Sequence, residues 1–176
     1  GTYTMTYSAV NDAPHNTITG ATLSVNEDTD LAITGNSIAD VDDTSMASVA
    51  ITASRGVFDL AQTTDLTFAT NSGDGTDDTT MTFSGTVTKI NLAIATLTWT
   101  SASHYDADAT ITIVTTDSSG ASDTDSMSIT VGSVNDAPTT SGGSATPVED
   151  ATHTFTTTAG DWGFADVDSG DAMTSI

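Results

Sequence analysis

Val10-Asn11-Asp12-Ala13-Pro14 stands near the start of the chain, and Val134-Asn135-Asp136-Ala137-Pro138 repeats it 124 residues on. Outward from this pentapeptide the match continues. Downstream, Val25-Asn26-Glu27-Asp28 answers to Pro147-Val148-Glu149-Asp150, and Ala39-Asp40-Val41-Asp42-Asp43 to Ala165-Asp166-Val167-Asp168-Ser169. Upstream, Tyr3-Thr4-Met5-Thr6-Tyr7 lines up with Met127-Ser128-Ile129-Thr130-Val131. Four blocks in one order mark a tandem repeat. Residues 1–9 are expected to be the last strand of a preceding repeat, 10–134 a complete repeat, and 135–176 the opening part of the next.

Within the complete repeat the apolar residues alternate with polar ones in short runs separated by turn residues, the pattern of half-buried strands. Thr22–Val25 and Leu31–Ile33 read as two halves of a first strand. Met46–Ala53, Leu66–Phe68 and Met81–Phe83 follow. Thr96–Thr100 puts Leu97 and Trp99 on one face, Ala109–Thr115 does so with Ile111 and Ile113, and Ser126–Val131 with Met127, Ile129 and Val131. Ser72-Gly73-Asp74-Gly75, Ser84-Gly85 and Ser119-Gly120 mark turns. One segment differs: the alternation of Ile90, Leu92 and Ile94 would fit a strand, but Thr88 as a cap and the alanines favour a short helix over 87–95. The sum is an all-β sandwich.

The charge is one-sided. Two Lys and Arg stand against 24 Asp and Glu, a formal charge of −22 on 176 residues. Such a polyanion repels nucleic-acid phosphates and anionic membrane surfaces, which excludes those partners. No cysteine is present, so disulfides and thiolate metal sites are excluded. No stretch reaches the roughly 20 apolar residues of a membrane span, so direct membrane insertion is not expected. Divalent cations are what the surface attracts.

The pentapeptide Val134–Pro138, preceded by the strand Met127–Val131, resembles the linker of cadherins and of bacterial cadherin-like tandem repeats, the large surface adhesins. The resemblance implies a Greek-key sandwich of cadherin-like, immunoglobulin-like type, in tandem, with calcium held at each linker. It implies ligand roles for Asn11 and Asp12, and for Asn135 and Asp136. Asp40 and Asp42, like Asp166 and Asp168, match the family's Asp-x-Asp pair. Asp117 sits where the family ends a late strand in aspartate, and Glu27 matches its early glutamate, the one that points to the following linker at Asn135 and Asp136, with Glu149 as the counterpart in the next copy. Asp106 and Asp108 stand loosely for the family's Asp-Arg-Glu. Where the family opens the linker with aspartate, this chain has Ala9 and Ser133, which implies one or two ions per linker.

The chemistry agrees with the resemblance. Calcium takes about six to eight oxygens at about 2.3–2.6 Å. Bringing Asp12, Asp40, Asp42 and Asp117 together without a cation would set like charges against one another. Arg55 and Lys89, the only basic side chains, lie outside these motifs. Asp-rich turns alone are ordinarily solvated loops, and Thr76–Asp78 and Ser122–Asp125, which do not recur, read that way.

No catalytic constellation appears: His104-Tyr105-Asp106 has no nucleophile motif beside it, and an enzyme is not expected. Trp99, Tyr105 and Trp162 could stack on sugar, but Trp99 alternates onto the inward face with Leu97. The expected function is a calcium-stiffened extender of a bacterial cell-surface or secreted adhesin, its first partners the adjacent repeats. The alternatives are a self-assembling fibre, sheath or surface-layer subunit, whose partners are its own copies, and a polysaccharide-binding module.

Overall fold

A computed structural model of the chain describes residues 1–142, 149–150, 152 and 163–168. The chain divides into two compact units, Gly1–Gly132 and Ser133–Ile176.

In the first unit a six-stranded sheet runs in the order β2 (Thr22–Asn26), β11 (Ser122–Gly132), β10 (Ala109–Thr116), β5 (Ser45–Ala53), β8 (Thr80–Thr86), β7 (Thr67–Phe68). Its pairs are antiparallel except β2 with β11, which is parallel. A three-stranded sheet runs β3 (Leu31–Ala32), β9 (Leu97–Thr100), β6 (Val57–Leu60), and a two-stranded one joins β1 (His15–Thr17) to β4 (Ser37–Ala39). With one short helix, α1 (Val87–Ile94), this is an all-β architecture in mixed sheets, consistent with a sandwich.

Alternation decides which side chains go inward. Val49 and Ile51 of β5, Met81 and Phe83 of β8, Ile111 and Ile113 of β10, and Met127, Ile129 and Val131 of β11 are buried. They join Phe58, Leu60, Leu97 and Trp99 from the three-stranded sheet in one apolar cluster. Each such large side chain contributes about 1.5–3 kcal/mol by leaving water. Trp99 is 1% exposed, and its indole N–H donates to the carbonyl of Arg55 at 2.9 Å. Gly56 makes that contact geometrically open. It adopts φ +75°, and a Cβ there would lie 2.6 Å from the Trp99 ring and against the Thr100 carbonyl.

The expected first strand is indeed split, and its halves go to different sheets: β2 pairs with β11, β3 with β9. The helix forms, but its cap is Thr86, whose hydroxyl accepts from the Lys89 N–H, and not Thr88. It buries Ile90, Ala93 and Ile94 and turns Leu92 half out to solvent, so helical spacing wins over alternation. Asn91 fastens it to β4, accepting from the N–H of Ile38 and donating to its carbonyl. Ser122–Asp125 is corrected from a solvated turn to the first four residues of β11, an 11-residue strand paired with β10 over Ser122–Ile129. Thr76–Asp78 is a turn, whose Asp78 carboxylate accepts from the N–H groups of Asp74 and Gly75. Residues 1–13 form no strand, and Tyr3, Met5 and Tyr7 stand largely in solvent. A strand needs a neighbour to pair with, and none of the described residues supplies one.

In the second unit β12 (Thr139–Thr140) pairs antiparallel with β13 (Phe164–Ala165). Its register, Thr139 opposite Ala165, is that of His15 opposite Ala39 in β1 and β4. Among the described residues, this one pairing recurs in both units.

Candidate metal centre

Three segments of the first unit meet at one end of the six-stranded sheet. They are the segment of Asn11 and Asp12 before β1, the loop Asp40–Asp43 after β4, and the turn Asp117–Ala121 joining β10 to β11. Each is tied to the other two. The Asp12 N–H donates to Asp42 Oδ2 at 2.8 Å, and Asn11 Nδ2 donates to Asp117 Oδ2 at 2.7 Å. The Ser118 N–H and hydroxyl both donate to Asp43 Oδ2, at 3.0 and 2.7 Å. Five carboxylates (Asp12, Asp40, Asp42, Asp43 and Asp117) are thereby drawn onto three interlocked loops.

The Asp-x-Asp loop is shaped by its own first residue. Asp40 Oδ1 accepts from the N–H groups of Asp42 and Asp43, both at 2.8 Å, a turn in which the side chain stands in for backbone. The other oxygen, Oδ2, is buried and has no hydrogen-bond partner. A buried acceptor left without a donor is costly, more so when it carries charge. Asp117 is 1% exposed and well served: besides Asn11, the N–H groups of Ser119 and Ala121 donate to its Oδ1 at 2.9 and 2.8 Å. The Asn11 amide holds the Asp117 carboxyl below the usual carboxylate range, against the opposite pull of burial, and the N–H groups of the turn add to it.

No basic side chain offsets this charge. Lys89 pairs with Asp65 at 2.7 Å, and Arg55 lies over the Tyr105 ring and donates to its hydroxyl. Oxygen-rich, anionic and partly desolvated, the donor set could hold a hard divalent cation.

The second unit repeats three bonds of the first. Asn135 Nδ2 donates to the Asp136 carbonyl at 2.8 Å, as Asn11 Nδ2 does to that of Asp12 at 2.9 Å. The Asp136 N–H donates to Asp168 Oδ2 at 2.6 Å, and the Asp168 N–H to Asp166 Oδ1 at 3.0 Å. Carboxylate oxygens of Asp136 and Asp168 lie within 4.8 Å of each other.

Other expected ligands lie elsewhere in the first unit. Glu27, 4% exposed, follows β2, and its N–H donates to the Gly132 carbonyl at 2.9 Å. Asp108 Oδ1 accepts from the Val131 N–H at 3.1 Å, and Asp106 is exposed nearby in sequence. Asp108 immediately precedes β10 and Asp117 immediately follows it. Nine residues of extended chain put the two about 30 Å apart, so the acidic residues occupy both ends of the unit. Glu149 is exposed. Trp162 lies outside the described residues. Asp43 and Ser118 escaped the sequence reading because Asp43 becomes Ser169 in the second copy, and recurrence was the criterion. The signal that could have found Asp43 is its place directly after the Asp-x-Asp pair.

Comparison with protein-family models finds no match to this chain, and a search of curated proteins finds none either. Among the described residues no helix is long and apolar enough to cross a membrane.

Proposed function

We propose that the chain is a calcium-binding, cadherin-like Greek-key repeat, in tandem, from an extracellular adhesin of the bacterial cell surface, and that it acts as an extender. The observation that carries this reading is the buried, unpartnered Asp40 Oδ2 within a set of five carboxylates that no lysine or arginine offsets. A divalent cation satisfies that oxygen and neutralises its neighbours in one step, and calcium suits the all-oxygen donors. The same hydrogen bonds at Asn135, Asp136, Asp166 and Asp168 support a function exercised once per repeat.

The mechanism is electrostatic. Without the ion, the linker at Asn11 and Asp12 is held against the Asp40–Asp43 loop by hydrogen bonds that must overcome like-charge repulsion. With calcium bound, the same loops share a counter-charge and the linker stiffens. Stiff linkers repeated along an array make a rod that carries a distal adhesive module away from the cell. In that role the chain performs no chemistry, and its partners are the repeats before and after it.

Calcium titration by calorimetry, with melting curves, tests the reading on the wild type and on Asp40→Asn. Saturable binding, a rise in melting temperature with calcium and a weakened site in the variant are expected. Absence of binding at millimolar calcium would reduce the acidic loops to solvated turns.

A further inference from the structure

On a chain with 24 acidic residues, one broad face carries none. The outward positions of β5, β8, β10 and β11 are Ser, Thr, Ala and Val, and the aspartates of β11, Asp123 and Asp125, alternate onto the opposite face. At the middle of this face Val114 of β10 stands directly opposite Ala50 of β5. Both are half-buried by their neighbours, and Thr112, Thr52, Thr82 and Thr124 surround them. Hydroxyls here satisfy one another, as Thr112 Oγ1 and Ser126 Oγ do at 3.1 Å, which lowers the cost of removing water from them.

We infer that this uncharged face of the six-stranded sheet is an interface between two copies of the chain. Net charge argues for the occupant. A molecule of formal charge −22 repels its own copies most where carboxylates face each other, and this face lets two copies approach with the least of that repulsion. The layout also fits: a small apolar centre of Val114 and Ala50 is ringed by threonines whose methyls pack and whose hydroxyls can bond across or through water. The four strands of this face, seven to eleven residues long and about 4.8 Å apart, offer on the order of 500 Å² per copy. About 1,000 Å² in total is the lower limit for a specific contact, so the dimer is weak. In an array many such contacts in parallel act together, and side-by-side association of rods follows without any single tight site.

Sedimentation equilibrium on the full chain, at protein concentrations up to about 1 mM, tests the inference, because a contact of this size gives a millimolar to submillimolar midpoint. Reversible, concentration-dependent dimerisation is expected, strengthened by salt as the remaining charge is screened. Thr124→Asp and Thr52→Asp each place a carboxylate on the face at an exposed position and are expected to weaken association about tenfold or more, about 1.4 kcal/mol. Thr34→Asp, exposed and off the face, is expected to leave it unchanged. Melting curves confirm that all three fold. A chain monomeric throughout in both low and high salt overturns the inference. So does association that the two face variants leave intact or that Thr34→Asp weakens equally. Retention of a monomeric chain on neutral polysaccharide, lost in the face variants, would overturn it in favour of sugar as the occupant.

Discussion

Asn11 shows how one side chain sets the state of another. Its amide donates to the Asp117 carboxylate and is the main reason that carboxyl sits below the ordinary range. A group whose folded pKa is depressed adds stability that is fully present above its unfolded pKa of about 3.9 and is lost as pH falls through the folded value. Asn11→Ala is therefore expected to raise the Asp117 pKa and to move the acid-unfolding limb of the calcium-free protein to higher pH, leaving stability near neutrality less affected. NMR titration of the Asp117 carboxyl measures the first effect and acid unfolding the second. Asp40→Asn separates charge from shape. Without calcium it is expected to melt higher, because it removes a buried, unpartnered anionic oxygen, yet to respond less to calcium. A variant that melts lower in chelator and keeps the full calcium response would show that Asp40 is a turn former only.

Elements of this fold depend on a few close approaches. Trp99 lies against the turn at Arg55–Gly56, and truncating it to alanine is expected to cost about 3–5 kcal/mol in denaturant unfolding. Gly56→Ala is also expected to destabilise, since both its positive φ and the Trp99 ring oppose a Cβ. Equal stability of that variant would mean that the turn and ring can separate without loss. The helix meets the sheet through Asn91, whose side chain completes the backbone bonding of Ile38. Asn91→Leu leaves both groups of Ile38 unsatisfied and is expected to cost about 1–3 kcal/mol for each buried group, with amide exchange of β4 accelerating first.

For the whole molecule, charge is the dominant quantity. At −22, self-repulsion opposes the folded state, so calcium-free stability is expected to rise with sodium chloride. At matched ionic strength the proposed calcium site should stabilise further, because its donors are assembled only in the folded chain. At a concentration about 100 times its dissociation constant, the gain is about 2.7 kcal/mol per site. Chelation should reverse it, and equal effects of calcium and magnesium at matched ionic strength would indicate screening without a built site.

Strand faces were legible in the chain because they follow from local alternation. Val49, Ile51, Ile111, Ile113, Met127 and Ile129 all point inward, and they do so whatever partner their strands take. The same holds for the repeated Ala-Asp-Val-Asp, which builds the same hydrogen bond at Asp40 and at Asp166. Three-residue strands such as β1 and β4 carry too little pattern to be read, and Ser122–Asp125 looked like a turn because its strand runs past the edge of the core. Alternation and charge say nothing of which loops meet; the resemblance grouped Asp12, Asp40, Asp42 and Asp117, and tertiary structure decides the contacts. Asn11 reaches Asp117 across 106 residues, Ser118 reaches Asp43 across 75, and Asp12 reaches Asp42 across 30. Alternation places a side chain on a face, whereas the order of strands in the sheet determines which strand ends share a pole. That order is set by packing of the core as a whole, so Asp43 joined the site unannounced.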